Sequence, residues 1–179
     1  MRILKKKIVY KGKYQKVLER EFLTKAGTKG IWEYVERGDA VFIFPLTKKK
    51  EVILEKIYRI PIKSFSIEIP AGRLDKKGEK PKKTAQRELL EETGYLAKKL
   101  IPVLKFPIEP CLVPNQGILF FAPDVEFIGK KGGEDVEEIE VLKVPVDNLE
   151  SFLISQSKKV NVDIKILGFL TLLKKKKMV

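Results

Sequence analysis

The 179-residue sequence contains no histidine. Mechanisms that need an imidazole are therefore excluded: Ser-His-Asp hydrolysis, His-ligated zinc and phosphohistidine transfer. Its single cysteine, Cys111, excludes an intramolecular disulfide framework and any multi-cysteine metal site. Long hydrophobic runs are missing too, since no stretch approaches the ~20 apolar residues of a membrane span. The opening MRILKKKIVY holds only short apolar pieces, and GFLTLL near the end runs into four lysines. With no targeting segment evident, a cytoplasmic protein without a membrane partner is the expectation. Glycine and proline, 12 and 10 residues, are at ordinary levels, which excludes collagen-like and low-complexity chains. Acid–base chemistry in this chain falls mostly to carboxylates and amines.

What is present is enough apolar material for a core, 44% of residues, in a length that fits one compact domain with a small N-terminal appendage. Lys and Arg number 37 against 24 Asp and Glu, a formal charge of +13. Such a chain attracts polyanions, so nucleic acid is one candidate partner. The lysines are scattered, however, mostly in turns and at element ends, without the interleaved aromatics of single-strand binders. A solvated surface is the preferred reading and a nucleic-acid partner is disfavoured.

The first third reads as strands. Residues 14–23 and 30–36 alternate partially, and 40–46 (AVFIFPL) is the continuous apolar run of a strand buried on both faces. Residues 51–59 (EVILEKIYR) form the next strand after a polar turn, and 66–69 are extended before Pro70 and Gly72 break the pattern. Further strands are read at 98–106, 117–122 and 139–144, a polar glycine-rich loop at 129–136, and amphipathic helices at 146–156 and 162–176. The order predicts a mixed α/β domain with helices packed on a sheet, residues 39–179, preceded by a small β region at 1–38.

The clearest helix is 81–93. Pro81 suits its first turn, Gly94 its left-handed end, and Ala85 and Leu89 give it an apolar stripe. At ~100° per residue, Glu88, Glu91 and Glu92 project from one side. Like charges so placed repel, and a hard divalent cation with oxygen ligands relieves the repulsion. Arg87, four residues before Glu91, can hold that carboxylate in place. A plain solvent-exposed acidic face is the alternative.

Glu79 is followed after seven residues by Arg87-Glu88-Leu89-Leu90-Glu91-Glu92-Thr93-Gly94-Tyr95. This resembles the Nudix hydrolase box, G-x5-E-x7-R-E-U-x-E-E-x-G-U. Between Gly72 and Glu79 stand six residues rather than five, one extra in the loop around Asp75 and Gly78. The resemblance implies an α/β/α sandwich with a mixed sheet, and Mg²⁺ or Mn²⁺ held by Glu88 and Glu92, by Glu91 directly or through water, and by the carbonyl of Ala71. It also implies hydrolysis of a nucleoside diphosphate linked to another moiety.

Flanking residues narrow the resemblance. EKIYR, IEIPAG, Pro110 and EEIEVLKVP together look like the ADP-ribose pyrophosphatase branch, whose substrates are ADP-ribose and related ADP-sugars and whose members commonly form homodimers through exchanged N-terminal sheets. By position, Glu137 is the candidate general base, with Glu134 second, and an ordinary acidic loop is the alternative. Arg59 is expected to contact phosphate or ribose, or to be a surface-strand arginine. Glu68 is a further site carboxylate. Trp32, in WEYVER, either stacks on adenine or sits in a core or dimer interface. Arg37 ends the same run as a weaker substrate contact. The stretch 110–116 (PCLVPNQ) departs from the branch by placing Cys111 where a glycine is usual and by lacking a following acid. Other nucleoside diphosphate derivatives, such as NADH or dinucleoside polyphosphates, therefore stay open, as does a basic nucleic-acid-binding protein on the same scaffold.

Overall fold

The computed structural model describes residues 1–129 and 138–179. Three antiparallel strands, β1 (Arg2–Lys11), β2 (Lys16–Leu23) and β3 (Lys29–Glu36), make a separate small sheet. Among the described residues the larger sheet has nine strands. Its centre is β4 (Ala40–Thr47), flanked by β10 (Gln116–Phe127) in parallel and by β5 (Glu51–Arg59) and β7 (Ala71–Arg73) in antiparallel pairing. Strand β6 (Ser64–Glu68) and strand β11 (Ile139–Pro145) pair with β5. Short strands β8 (Tyr95–Leu96) and β12 (Asn161–Val162), with β9 (Ile101–Pro107), complete it.

Every residue of β4 is buried, as its unbroken apolar run requires. Alternation then sorts its side chains to two faces. Val41 and Ile43 pack with Ala85 and Leu89 of helix α1 (Pro81–Thr93). Phe42, Phe44 and Leu46 pack with Leu149 and Leu153 of α2 (Leu149–Gln156) and with Ile166, Leu170 and Leu173 of α3 (Lys165–Lys175). The sheet thus lies between helices, the α/β/α sandwich that was expected. Helix α1 starts at Pro81 and ends at Gly94, whose φ of 76° is the left-handed conformation that favours glycine.

Three expectations need correction. Strand β1 was not foreseen, because three consecutive lysines interrupt its apolar pattern; pairing with β2 along its whole length holds it extended. Helix α2 begins at Leu149, since residues 146–148 form a tighter 3-10 turn. Helix α3 begins at Lys165 rather than 162, because Val162 pairs with Ile67 in the sheet and the Asp163 carboxylate accepts the Lys165 N–H at 3.0 Å. Among the described residues no helix is long and apolar enough to cross a membrane.

Candidate active site

The box residues meet where β7 passes under α1. Gly72 pairs opposite Val41 and so faces the helix. The Glu88 side chain lies directly over it: a β-carbon at Gly72 would overlap Glu88 Cγ, Cδ and Oε1. One turn on, Glu92 accepts a hydrogen bond from the Ala71 N–H at 3.3 Å. Arg87 gathers the rest. Its Nη2 lies 2.8 Å from Glu88 Oε1 and 3.3 Å from Glu79 Oε2, and its Nη1 donates to Glu91 Oε2 at 2.8 Å. Glu79 also accepts from Thr84 Oγ1 at 2.9 Å. The extra residue before Glu79 is absorbed in the loop. Gly78 there adopts a φ of 81°, while Gly72 still lies under Glu88 and Glu79 still reaches Arg87.

The sequence pattern put three negative charges on one helical face, with Arg87 placed to hold Glu91. In the fold, Arg87 neutralises part of that charge by spanning Glu88 and Glu91, and Glu79 as well. Burial works against the guanidinium charge, but the bonds to Glu79, Glu91 and Glu88 outweigh it and raise its pKa above the ordinary value. Glu92 receives no such help. Burial, and then the charges of Glu55 and Glu88, push its carboxyl well above the usual range. Burial also raises Glu88, assisted by Glu91 and Asp75 and opposed by Arg87. Glu88 and Glu92 set hard oxygen donors beside the Gly72–Ala71 backbone, a donor set that fits an oxygen-seeking divalent cation. Among the described residues, no three acidic or thiol side chains already converge into a coordination shell. Glu88 and Glu91 are turned onto Arg87 and Glu92 onto Ala71, so binding a cation means exchanging those contacts.

Glu55 completes the cluster, and sequence reasoning gave it no role. It lies 2% exposed in the middle of β5, on the same face as Ile53 and Ile57, and its charge is among the causes that push the Glu92 carboxyl up. The available signal was a carboxylate at a position that strand alternation buries. Across the strand pair it stands opposite Glu68. Glu68 in turn accepts a two-pronged bond from Arg59, at 3.1 Å from Nε and 2.8 Å from Nη2. Burial opposes ionisation of Glu68, yet the Arg59 bonds hold its carboxyl below the ordinary value. Arg59 and Glu68 are thus brought together, beside the box residues rather than apart from them.

Trp32 and Arg37 lie elsewhere. Trp32 is 53% exposed, so it is not a core residue, and its Nε1–H donates to the Cys111 carbonyl at 2.9 Å. The Val35 N–H bonds the Leu112 carbonyl at 2.9 Å, and Asn115 Nδ2 donates to the Gly38 carbonyl at 3.1 Å. The unusual stretch 110–116 is therefore what the small sheet clasps. Arg37 donates to Gln15 Oε1 at 3.4 Å and lines a cleft of about 460 Å³ with Lys13, Lys16, Glu36 and Arg73. Arg73 ends β7, so this basic cleft and the carboxylate cluster flank one three-residue strand. Glu137 and Glu134 lie outside the described residues; β11 begins just beyond them at Ile139, opposite Ile57.

Known proteins resemble this chain in sequence and in fold. The NUDIX domain profile matches residues 36–163. An ADP-ribose pyrophosphatase of Bacillus subtilis is 37% identical over 117 residues, covering 65% of this chain and 63% of that one. A methanol dehydrogenase activator of Bacillus methanolicus is 27% identical over 151 residues, covering 84% of this chain and 81% of that one. The chain thus spans somewhat under two thirds of the first relative's length and about four fifths of the second's. The crystal structure of an ADP compounds hydrolase superposes with a TM-score of 0.83 at 22% identity, over 99% of this chain and 96% of that one. The profile covers the strand-loop-helix that places Gly72 beneath Glu88 and Glu79 against Arg87, and the chain belongs to the NUDIX domain family.

Proposed function

We propose that this protein hydrolyses the pyrophosphate bond of ADP-ribose or a related ADP-sugar, releasing AMP and a sugar phosphate, with Mg²⁺ or Mn²⁺ as cofactor. The observation that carries this reading is the carboxylate cluster of Glu88 and Glu92 seated on Gly72 and Ala71. Glu88 and Glu92 would hold the cation, with Glu91 and the Ala71 carbonyl completing the set. When bound, the cation offsets pyrophosphate charge and favours ionisation of the attacking water.

The chain's own groups do the rest. Arg87 holds Glu91 and Glu88 in register. Glu68 aims the Arg59 fork, which suits a phosphate or ribose oxygen. Glu137, or Glu134 after it, takes the proton from water as the P–O bond to the leaving phosphate breaks. Trp32 offers a stacking face for the base beside stretch 110–116, and Arg37 contributes to the basic cleft. The name of the Bacillus subtilis relative supports the ADP-ribose assignment.

Residues 1–38 would serve as a dimer-forming region for the domain at 39–179. All ten residues of β1 are exposed, including Ile3, Ile8 and Tyr10, and Ile31 of β3 is 61% exposed. An apolar surface of that kind is typical of a protein contact. We place the protein in the cytoplasm. The test is a Mg²⁺ assay across ADP-ribose, NADH, a dinucleoside polyphosphate and a deoxynucleoside triphosphate. ADP-ribose should turn over fastest, giving AMP and ribose 5-phosphate. Faster hydrolysis of another compound would replace the substrate, and no hydrolysis of any would defeat the enzyme reading.

A further inference from the structure

Strand β7 carries an arginine one position past the glycine that seats Glu88. Gly72 looks toward α1, so Arg73 looks the other way, to the side on which Ala71 packs with Phe42. There it lines the cleft of about 460 Å³ with Arg37 and with Lys13 and Lys16 at the β1–β2 turn. One carboxylate, Glu36, shares this lining, and it is already held by Lys6 at 3.2 Å and Lys16 at 3.6 Å. The other three cations have no such partner. Among the described residues Arg73, Arg37 and Lys13 make no ion pair; Arg37 donates to the neutral Gln15 amide, and Lys13 stands 5.0 Å over the Tyr14 ring. Three unpaired cations on one concave surface repel one another and concentrate anions. Two of them are guanidinium groups, whose forks match the paired oxygens of a phosphate.

We propose that this cleft is a second anion site that takes a phosphate monoester, with Arg73 and Arg37 on its oxygens and Lys13 adding charge. The site is separate from the place where a diphosphate would meet a cation. Glu88 lies over the α1 side of β7, whereas Arg73 belongs to the opposite side. At neutral pH a phosphate monoester carries close to two negative charges, which answers the cleft's surplus better than a carboxylate does. ADP-ribose has no anionic group besides its diphosphate. The cleft is therefore filled either by an extra phosphate on a larger nucleotide or by a free phosphate ester.

Calorimetric titration of the full chain with inorganic phosphate and with ribose 5-phosphate, in EDTA to keep the carboxylate cluster free of cation, tests the site without turnover. Both should bind, and ribose should not. Arg73→Ala should weaken binding roughly tenfold or more, the loss expected for a charge-assisted bond. Arg73→Lys should recover part of it. Arg73 is exposed and pairs with no carboxylate, so Arg73→Ala should melt no lower than wild type in phosphate-free buffer. Lys13→Glu, in the turn, is the second variant and should weaken binding as well. Equal phosphate binding by wild type and both variants overturns the proposal, and so does an absence of binding at millimolar phosphate. The source of the phosphate is read from KM with Mg²⁺ for ADP-ribose and for its 2′-phosphate. A lower KM for the phosphorylated compound in wild type, lost in Arg73→Ala, supports the site as one for a phosphate carried by the substrate. Equal KM values, with the binding above intact, support it as one for a free ester. The binding measurements hold whichever compound the protein hydrolyses.

Discussion

At the scale of single residues, Gly72 couples the sheet to the helix. The side chain of Glu88 takes the volume that any β-carbon there would fill, so the glycine is required by close approach rather than by an unusual φ. Gly72→Ala should push Glu88 off the strand. We expect a stability loss of roughly 1–3 kcal/mol from overpacking. A ligand displaced by about an ångström should also lower turnover on the order of a hundredfold. Thermal melts and kcat measured on the variant check both, and wild-type turnover would show that Glu88 need not sit there. That Gly72, Arg87, Glu88, Glu91 and Glu92 would lie together was legible in the sequence because their spacing is local to one loop and one helix. The place of Glu55 beside them was not: Glu92 lies on a different element, and strand alternation marks a buried face without saying that α1 covers it.

At the scale of elements, α1 was legible to the residue, since Pro81 and Gly94 mark its ends chemically. Strands β7, β8 and β12 were not, because two or three residues carry no periodicity and exist through long-range pairing. The fork between Arg59 and Glu68 is another such feature, tying β5 to β6. Its contribution to stability has a definite sign with pH. The folded pKa of Glu68 is lowered from 4.5, so the unfolded chain binds this proton more readily. The stabilisation is therefore present above the unfolded value and is lost as pH falls through the folded one. Urea unfolding of wild type and Glu68→Gln should show a stability gap at pH 7 that shrinks by pH ~3. A gap independent of pH would mean that the carboxylate charge contributes nothing to the fork.

At the scale of the whole molecule, a chain of net charge +13 concentrates acidic groups around one helix and one strand crossing. A basic surface around an acidic cluster suits an anionic substrate that is drawn in and then meets a bound cation. The fold class was legible because the alternation of apolar runs and one helix bounded by Pro81 and Gly94 survives at low resolution of pattern. The docking of the small sheet on stretch 110–116 was not, since its bonds, from the Trp32 indole and the Val35 N–H, join residues nearly 80 positions apart onto carbonyls that any residue would supply. The exposed apolar face of that sheet predicts a dimer. Sedimentation velocity should give twice the chain mass, and a single-chain mass at micromolar concentration would contradict it. The most direct test of the cluster as the cation-holding centre is kcat for ADP-ribose with saturating Mg²⁺ in wild type and in Glu92→Gln, with circular dichroism to confirm the fold. A loss of ~100-fold or more is predicted; a folded variant turning over near the wild-type rate would contradict it.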